Sequence, residues 1–296
     1  MKAGVNQAAP PSGSPPKKKV LFILSTSYAG SHFLSLLLGS HSRALHIGEV
    51  AGIGTPKFDG GECYFQAGNV LEGLGQKDLP RIHEIIFSRV DSSIVVLVDT
   101  NKALSWAESF LRDDTFDKRF VHLIRDPRAL VRRYGLAATP ESRRKIRWKI
   151  ARKFPALAFA IWNAPESDLW MYQWLFQNQK ITSFIRRHQL NAELITYRDL
   201  ATNQAAEIAR LMRWLDLDFE PAQLEYWNRP HIGSQKRNYD WVKEKKTQHF
   251  DLRWKTEMTA KVQTRITSNR RVLDYLADLK VTFADDGLVR EGAAYG

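Results

Sequence analysis

The chain has 296 residues, 44% of them hydrophobic and nine of them Trp, enough to bury a sizeable core as one large domain or two small ones. Its 44 Lys and Arg against 32 Asp and Glu leave a net charge of +12, which favours nucleotides, sulfated or phosphorylated substrates, nucleic acid or acidic membrane without choosing among them. No stretch reaches the roughly 18 uninterrupted apolar residues of a membrane span, and Cys63, the only cysteine, rules out an internal disulfide and fits a reducing compartment.

In chain order, residues 1–18 are rich in Pro, Gly, Ser and Lys and have no apolar segment ahead of the lysines. They read as a disordered lead-in rather than a secretory signal, so a cytoplasmic location is expected, with residues 19–296 as a single domain. Lys19 to Leu24 reads as a buried strand. "STSYAGS" is a turn, and a helix begins over Ser31 to Leu38. Ile94 to Val98, "IVVLV", is a second continuous apolar run, ending in Asp99-Thr100-Asn101-Lys102 and followed by a helix from Ala103 to Leu111. A third unit repeats the format, with a strand over Phe120 to Ile124, a charged turn at Arg125 to Arg128, and a helix. A long helix is predicted over Trp170 to His188, a short strand over Glu193 to Thr196, then a loop and a helix in "YRDLATNQAAEIARLMRWL". From about Asn228 the pattern is poor in strands. The alternation predicts an α/β fold, a central parallel sheet flanked by helices, and ligands beyond the carboxyl ends of its strands.

The first turn carries chemistry. A turn opening a helix offers free backbone N–H groups and the positive end of the helix dipole. Gly30 admits close approach of an anion, and Ser27 and Ser31 offer hydroxyls. The turn lacks the Gly-Lys-Ser/Thr ending of a nucleoside-triphosphate loop, and on its own it reads equally as an ordinary Ser-rich connection. In "HLIRDPRALVRRYG", Arg125 at a strand end has the fork to grip a phosphate, or the simpler role of pairing with Asp126.

The two stretches in this order resemble sulfotransferases that use 3′-phosphoadenosine 5′-phosphosulfate (PAPS), which have a P-loop-like fold. "SYAGSHFLSLLLGSHSRALHIGEV" resembles the bacterial and tyrosylprotein branches, which run from the loop to a Gly-Glu pair. "ITYRDL" resembles the family's Tyr-Glu-Asp-Leu segment near the adenine, and "NRPHIGSQKRNYDW" followed by "DLRW" its C-terminal cofactor loop and Asp-x-x-Trp helix. The resemblance spans roughly Val20 to Trp254. It implies that Ser27, Tyr28, Ala29, Gly30, Ser31, His32 and Phe33 hold the 5′-phosphosulfate. It also implies that Arg125 holds the 3′-phosphate, that Tyr197 lies near adenine, and that Gln235, Lys236 and Arg237 belong to the C-terminal loop. It implies PAPS as donor and an acceptor of open class: saccharide, peptide, lipid or small molecule. Three positions depart from the family pattern. Tyr28 stands where a Lys or Arg is usual. Arg133 stands where a second 3′-phosphate ligand, Ser, is usual, and it can still bind that phosphate, or Arg132 can. Gly233-Ser234-Gln235 replaces a Gly-Gly-Asn type sequence.

Sulfuryl transfer needs alignment, positive charge on the developing oxyanions and a base for the acceptor proton. It needs no metal in principle. Glu49, after Gly48, is the candidate base; its plainer role is as an arginine partner. Lys102, past the "VVLVD" strand, is the candidate cation and a substitute for the charge missing at Tyr28; its plainer role is as a solvated lysine. Asp99 caps the turn or orients Lys102. His32 and His231 are weaker candidates, and His41, His46 and His122 sit near these elements. Glu141 to Lys153, "ESRRKIRWKIARK", is a densely basic helix face, either simply solvated or a track for an anionic surface. The function expected is transfer of a sulfuryl group to a hydroxyl, or an amine. The rivals are another phosphate-handling enzyme such as a nucleotide kinase, a nucleotide-binding relative without turnover, and a non-catalytic polyanion binder.

Overall fold

The apolar runs assemble into strands in the computed structural model, which describes residues 17–55, 63–64, 70–229, 231, 234–235 and 250–295. In chain order the strands are β1 (Lys19–Ser25), β2 (Ala44–Gly48), β3 (Cys63–Tyr64), β4 (Val96–Asp99), β5 (Asp117–Ile124), β6 (Ala192–Thr196), β7 (Ser234–Gln235), β8 (Val281–Ala284) and β9 (Gly287–Arg290). Five form one sheet in the order β2-β4-β1-β5-β6, every pair parallel. The expected α/β class, a central parallel sheet flanked by helices, is the fold the chain has.

β1 is central and buried on both faces, so its side chains alternate between two apolar layers. Val20, Phe22 and Leu24 join the layer formed by Ile82, Ile86, Phe184 and Ile185. Leu21 and Ile23 join the one formed by Leu34, Leu37, Ile208 and Leu211. A third cluster, around Leu130, Ile150, Trp174 and Leu276, extends the core past β5 and packs Leu288 of the β8–β9 hairpin against it.

The strand order fixes where a ligand can bind. β1 and β5 are neighbours, but the chain leaves them in opposite directions: from β1 through helix Ser31–Gly39 to edge strand β2, and from β5 through helix Glu166–Arg187 to edge strand β6. Right-handed crossovers in opposite directions put the two helices on opposite faces. The crevice between the carboxyl ends of β1 and β5 is therefore the topological switch point, where open α/β sheets bind ligands. It is flanked by the Ser25–Ser31 turn and by Arg125.

Several elements differ from the sequence reading. "ALHIG" forms edge strand β2, which has no long apolar run to announce it. The presumed loop after β6 is a short helix, Tyr197–Thr202, capped by the Thr196 hydroxyl accepting from the Asp199 N–H at 3.0 Å. The C-terminal section, expected to be poor in strands, contains the β8–β9 hairpin. The long helix starts earlier than Trp170, at Glu166. Among the described residues no helix is long and apolar enough to cross a membrane.

Candidate active site

The turn after β1 is held in an uncommon conformation. Tyr28 has φ 64° and Gly30 φ 103°, both in the left-handed region, which costs a non-glycine residue such as Tyr28 roughly 1–3 kcal/mol. Gly30 stands at the N-cap of helix Ser31–Gly39 and has no side chain to cap it, and no acidic residue lies in the first turn. The N–H groups of Ser31, His32 and Phe33 precede the first intrahelical bond, donated by Leu34 to the Gly30 carbonyl at 3.0 Å. They are the donors a helix start offers to an anion. A Cβ on Gly30 would lie 2.7 Å from the Tyr197 ring. The missing side chain thus admits Tyr197 and the left-handed φ, besides the approach of an anion expected from the sequence.

Arg125 ties the site together. Its Nη1 donates to the Tyr28 carbonyl at 2.9 Å and its Nη2 to Asp251 at 3.0 Å. Its guanidinium lies 4.1 Å from the centre of the Tyr197 ring. Its own carbonyl accepts from the Trp174 indole at 2.8 Å, anchoring the strand end to the core. Nε is buried with no hydrogen-bond partner among the described residues, a donor still available to an anion. Asp251 is held well below the usual carboxylate range, chiefly by its hydrogen bond from Arg253 and also by the Arg125 charge. The other arginine of the motif, Arg128, is structural. It forks onto Asp126, the N-cap of helix Pro127–Leu136, and stacks 3.9 Å from the Trp254 ring centre. "DLRW" therefore closes over "RDPR" through two contacts, Asp251 with Arg125 and Trp254 with Arg128. The motifs are visible in the sequence, but their contact across more than a hundred residues is not.

Two positions singled out in the sequence meet. The guanidinium of Arg133 lies 4.5 Å from the centre of the Tyr28 ring, so a cation stands over the tyrosine of the turn. Tyr134 braces the same turn, its hydroxyl donating to the Ser27 carbonyl at 3.2 Å. Burial pushes that hydroxyl up to about 12, so it stays a donor at neutral pH. Arg132 instead turns away to pair with Glu257.

On the β4 side, a register shift in the β2–β4 pairing between His46 and Gly48 and a φ of 71° at Gly48 turn the chain so that Glu49 meets Lys102. The two form an ion pair, with side chains 51% and 30% exposed. The candidate base and candidate cation are thus partners at one edge of the crevice. Asp99 does not orient Lys102. It is fully buried and taken by His83 (3.0 Å), the Trp106 indole (2.8 Å) and the Asn101 N–H (2.8 Å). Lys102 lies close enough to His32 to help depress it. The His32 imidazole is lowered to about 4, by burial first, then by His231 and Lys102. Its Nε2 is buried and has no hydrogen-bond partner among the described residues. This leaves a neutral imidazole in the first turn of the helix, in ring contact with His46 at 5.5 Å.

The remaining candidates sort by place. Tyr197 is 7% exposed and is occupied with Gly30, Arg125 and Phe250, so here it braces the turn and the arginine. His41 bonds the Asp218 carbonyl, and His122 bonds Tyr295 and Asn178 inside the core. Gln235 lies in β7, paired with Cys63 of β3. Lys236 and Arg237 lie outside the described residues. Among the described residues no cluster of three His, Cys, Asp or Glu is placed to hold a metal.

No protein-family model and no curated protein matches the chain. Among solved structures, it is similar to the sulfotransferase domain from the curacin biosynthetic pathway, at 16% identity over 86% of this chain and 98% of that one, with a TM-score of 0.49. It is similar to the sulfotransferase domain of the Synechococcus PCC 7002 olefin synthase, at 13% identity over 86% and 95%, with a TM-score of 0.47. It is also similar to mouse sulfotransferase SULT7A1 complexed with PAP, at 10% identity over 89% of each chain, with a TM-score of 0.43.

Proposed function

We propose that the chain is a sulfotransferase that takes a sulfuryl group from PAPS and delivers it to an acceptor hydroxyl, or less readily an amine. The observation that carries this reading is Arg125. One side chain at the switch point touches the Ser25–Ser31 turn, Tyr197 and Asp251, so it brings together the segments that resemble the family's phosphosulfate, 3′-phosphate, adenine-side and C-terminal motifs. The available donors fit an anion at both ends of the nucleotide: the N–H groups of Ser31, His32 and Phe33 at the helix start, and the unpartnered buried Nε of Arg125.

In this reading Ser31, His32 and Phe33 hold the 5′-phosphosulfate through backbone N–H groups, with Ser27, Tyr28, Ala29 and Gly30 shaping the turn. Arg125 reads the 3′-phosphate. Tyr197 keeps both in register, and Gln235, Lys236 and Arg237 close the C-terminal side. Arg133 and Lys102 supply positive charge against the negative charge that the oxygens gain as the sulfur–oxygen bond to the nucleotide breaks. Glu49 takes the acceptor's proton as the new sulfur–oxygen bond forms, and Lys102 holds its carboxylate in place until then.

Titration calorimetry with 3′,5′-adenosine diphosphate and with 5′-AMP tests the assignment. Arg125→Ala removes a charge-assisted hydrogen bond worth about 1.5–3 kcal/mol, so it is expected to weaken the diphosphate by about 10-fold or more and AMP much less. Equal losses for both nucleotides would make Arg125 a prop for the turn and not a phosphate reader.

A further inference from the structure

A second cationic feature lies outside the crevice. A groove of about 910 Å³ is lined by Arg144, Lys145, Lys149, Arg152 and Lys153 of helix Pro140–Lys153 and by Lys180 of helix Glu166–Arg187. The lining positions on the first helix recur at helical spacing, opposite buried Ile146 and Ile150. The six cations are exposed, and none has an ion-pair partner among the described residues. Only Glu141 adds a carboxylate to the lining. Such a concentration of one sign repels itself, so it calls for an anionic partner.

Exposed apolar side chains choose which anion. Among the described residues six large hydrophobic side chains are exposed, and three belong to this region: Trp148 (61%), Phe159 (85%) and Trp162 (48%). Trp148 lines the groove, and its ring meets Trp162 edge-on at 5.3 Å. Phe159 and Trp162 share the short helix Ala158–Trp162, just past the basic one. A dissolved polyanion would satisfy the cations and leave Phe159 in water. Nucleic acid would favour flat ring faces for stacking, whereas these tryptophans meet at 82°. A bilayer surface offers anions at headgroup depth and apolar material just beneath, the boundary that Trp and basic side chains prefer.

We infer that the Pro140–Trp162 face docks the protein on an anionic phospholipid surface, with the groove cations on the headgroups and Trp148, Phe159 and Trp162 entering the interface. This face stands apart from the crevice and from the chemistry assigned to it.

Flotation of the full chain with vesicles tests it, comparing phosphatidylcholine alone with phosphatidylcholine containing about a quarter phosphatidylserine. Binding is expected only to the anionic vesicles, to weaken with salt, and to shift tryptophan emission to the blue. Each cation near such a surface counts for about five-fold in partitioning, so Lys145→Gln/Lys149→Gln/Arg152→Gln is expected to bind about 100-fold more weakly. Phe159→Ser/Trp162→Ser keeps every charge and is expected to lose about 10-fold or more. Both sets lie on the surface, and thermal melts equal to the parent's establish that they are folded. A parent that binds heparin but not the anionic vesicles overturns the inference and makes the groove a soluble-polyanion site. Parent-like vesicle binding by the Phe159/Trp162 variant overturns it as well.

Discussion

At the residue scale, Tyr28 and Arg133 read as one exchange against the pattern that the sequence resembles, which has a cation at the first position and a hydroxyl at the second. The arginine lies over the tyrosine ring, so the charge reaches the turn from the neighbouring helix. Loss of a group that stabilises developing charge costs about 10²–10³-fold in turnover. Arg133→Ser is therefore expected to fall by that amount, and Tyr28→Lys/Arg133→Ser to regain most of it. Steady-state rates with a verified acceptor decide this, and a double variant no better than Arg133→Ser refutes the exchange. The Glu49–Lys102 pair separates binding from chemistry in the same assay. Half exposed, it contributes only about 0–1 kcal/mol to stability, so its variants report on function. Glu49→Gln is expected to keep nucleotide affinity while turnover drops about 10²–10⁴-fold. Lys102→Ala is expected to lower both. Near-normal turnover in Glu49→Gln would remove it from the role of base.

At the element scale, the turn between β1 and its helix is set by contacts that arrive from far along the chain. Gly30 makes room for the Tyr197 ring, and Arg125 bonds the Tyr28 carbonyl. Gly30→Ala is expected to destabilise by about 1–3 kcal/mol through its left-handed φ and this contact. Because the contact is shared with Tyr197, a denaturant double-mutant cycle of Gly30→Ala with Tyr197→Ala is expected to show non-additivity of about 1 kcal/mol or more. Strict additivity would mean that the φ alone requires glycine. The turn, its helix and the Arg125 strand end were legible in the sequence because each follows a continuous apolar run such as "VLFIL" or "FVHLI" and ends in an abrupt polar switch. β2 was not, because "ALHIG" is an edge strand with a histidine at its centre. The β8–β9 hairpin was missed although Asp285-Asp286-Gly287 between "VTFA" and "LV" is a turn signal. What no local pattern could give is partnership. The closures of Asp251 on Arg125 and of Arg133 on Tyr28 are tertiary, as is the pairing of Glu49 with Lys102.

At the scale of the whole molecule, the fold places neutral histidines where a charge is costly. His122 lies in the core beside β6, while His32 and His231 belong to the site's histidine cluster. Burial is the leading cause in each case, and it lowers all three from 6.5 to about 4. The unfolded chain therefore binds protons that the folded chain refuses between pH 6.5 and 4. Where the unfolded state binds more protons, stability rises with pH. Their contribution is present above pH 6.5 and is lost as pH falls through about 4. By about pH 5 each imidazole has removed roughly 2 kcal/mol, and three together approach the whole stability of an ordinary domain, about 5–15 kcal/mol. Calorimetric melts are expected to show Tm falling steeply from about pH 7 to about pH 5, a range in which most carboxylates remain ionised. His122 is the useful control, because it lies apart from the crevice and among the described residues bonds Tyr295 and Asn178 alone. His122→Gln keeps a polar group there and cannot titrate, so it is expected to remove about 2 kcal/mol of the difference between those two pH values. A Tm that stays level across this interval in the parent would mean that the imidazoles are not held neutral by burial. An unchanged slope in His122→Gln would place the acid sensitivity elsewhere in the molecule.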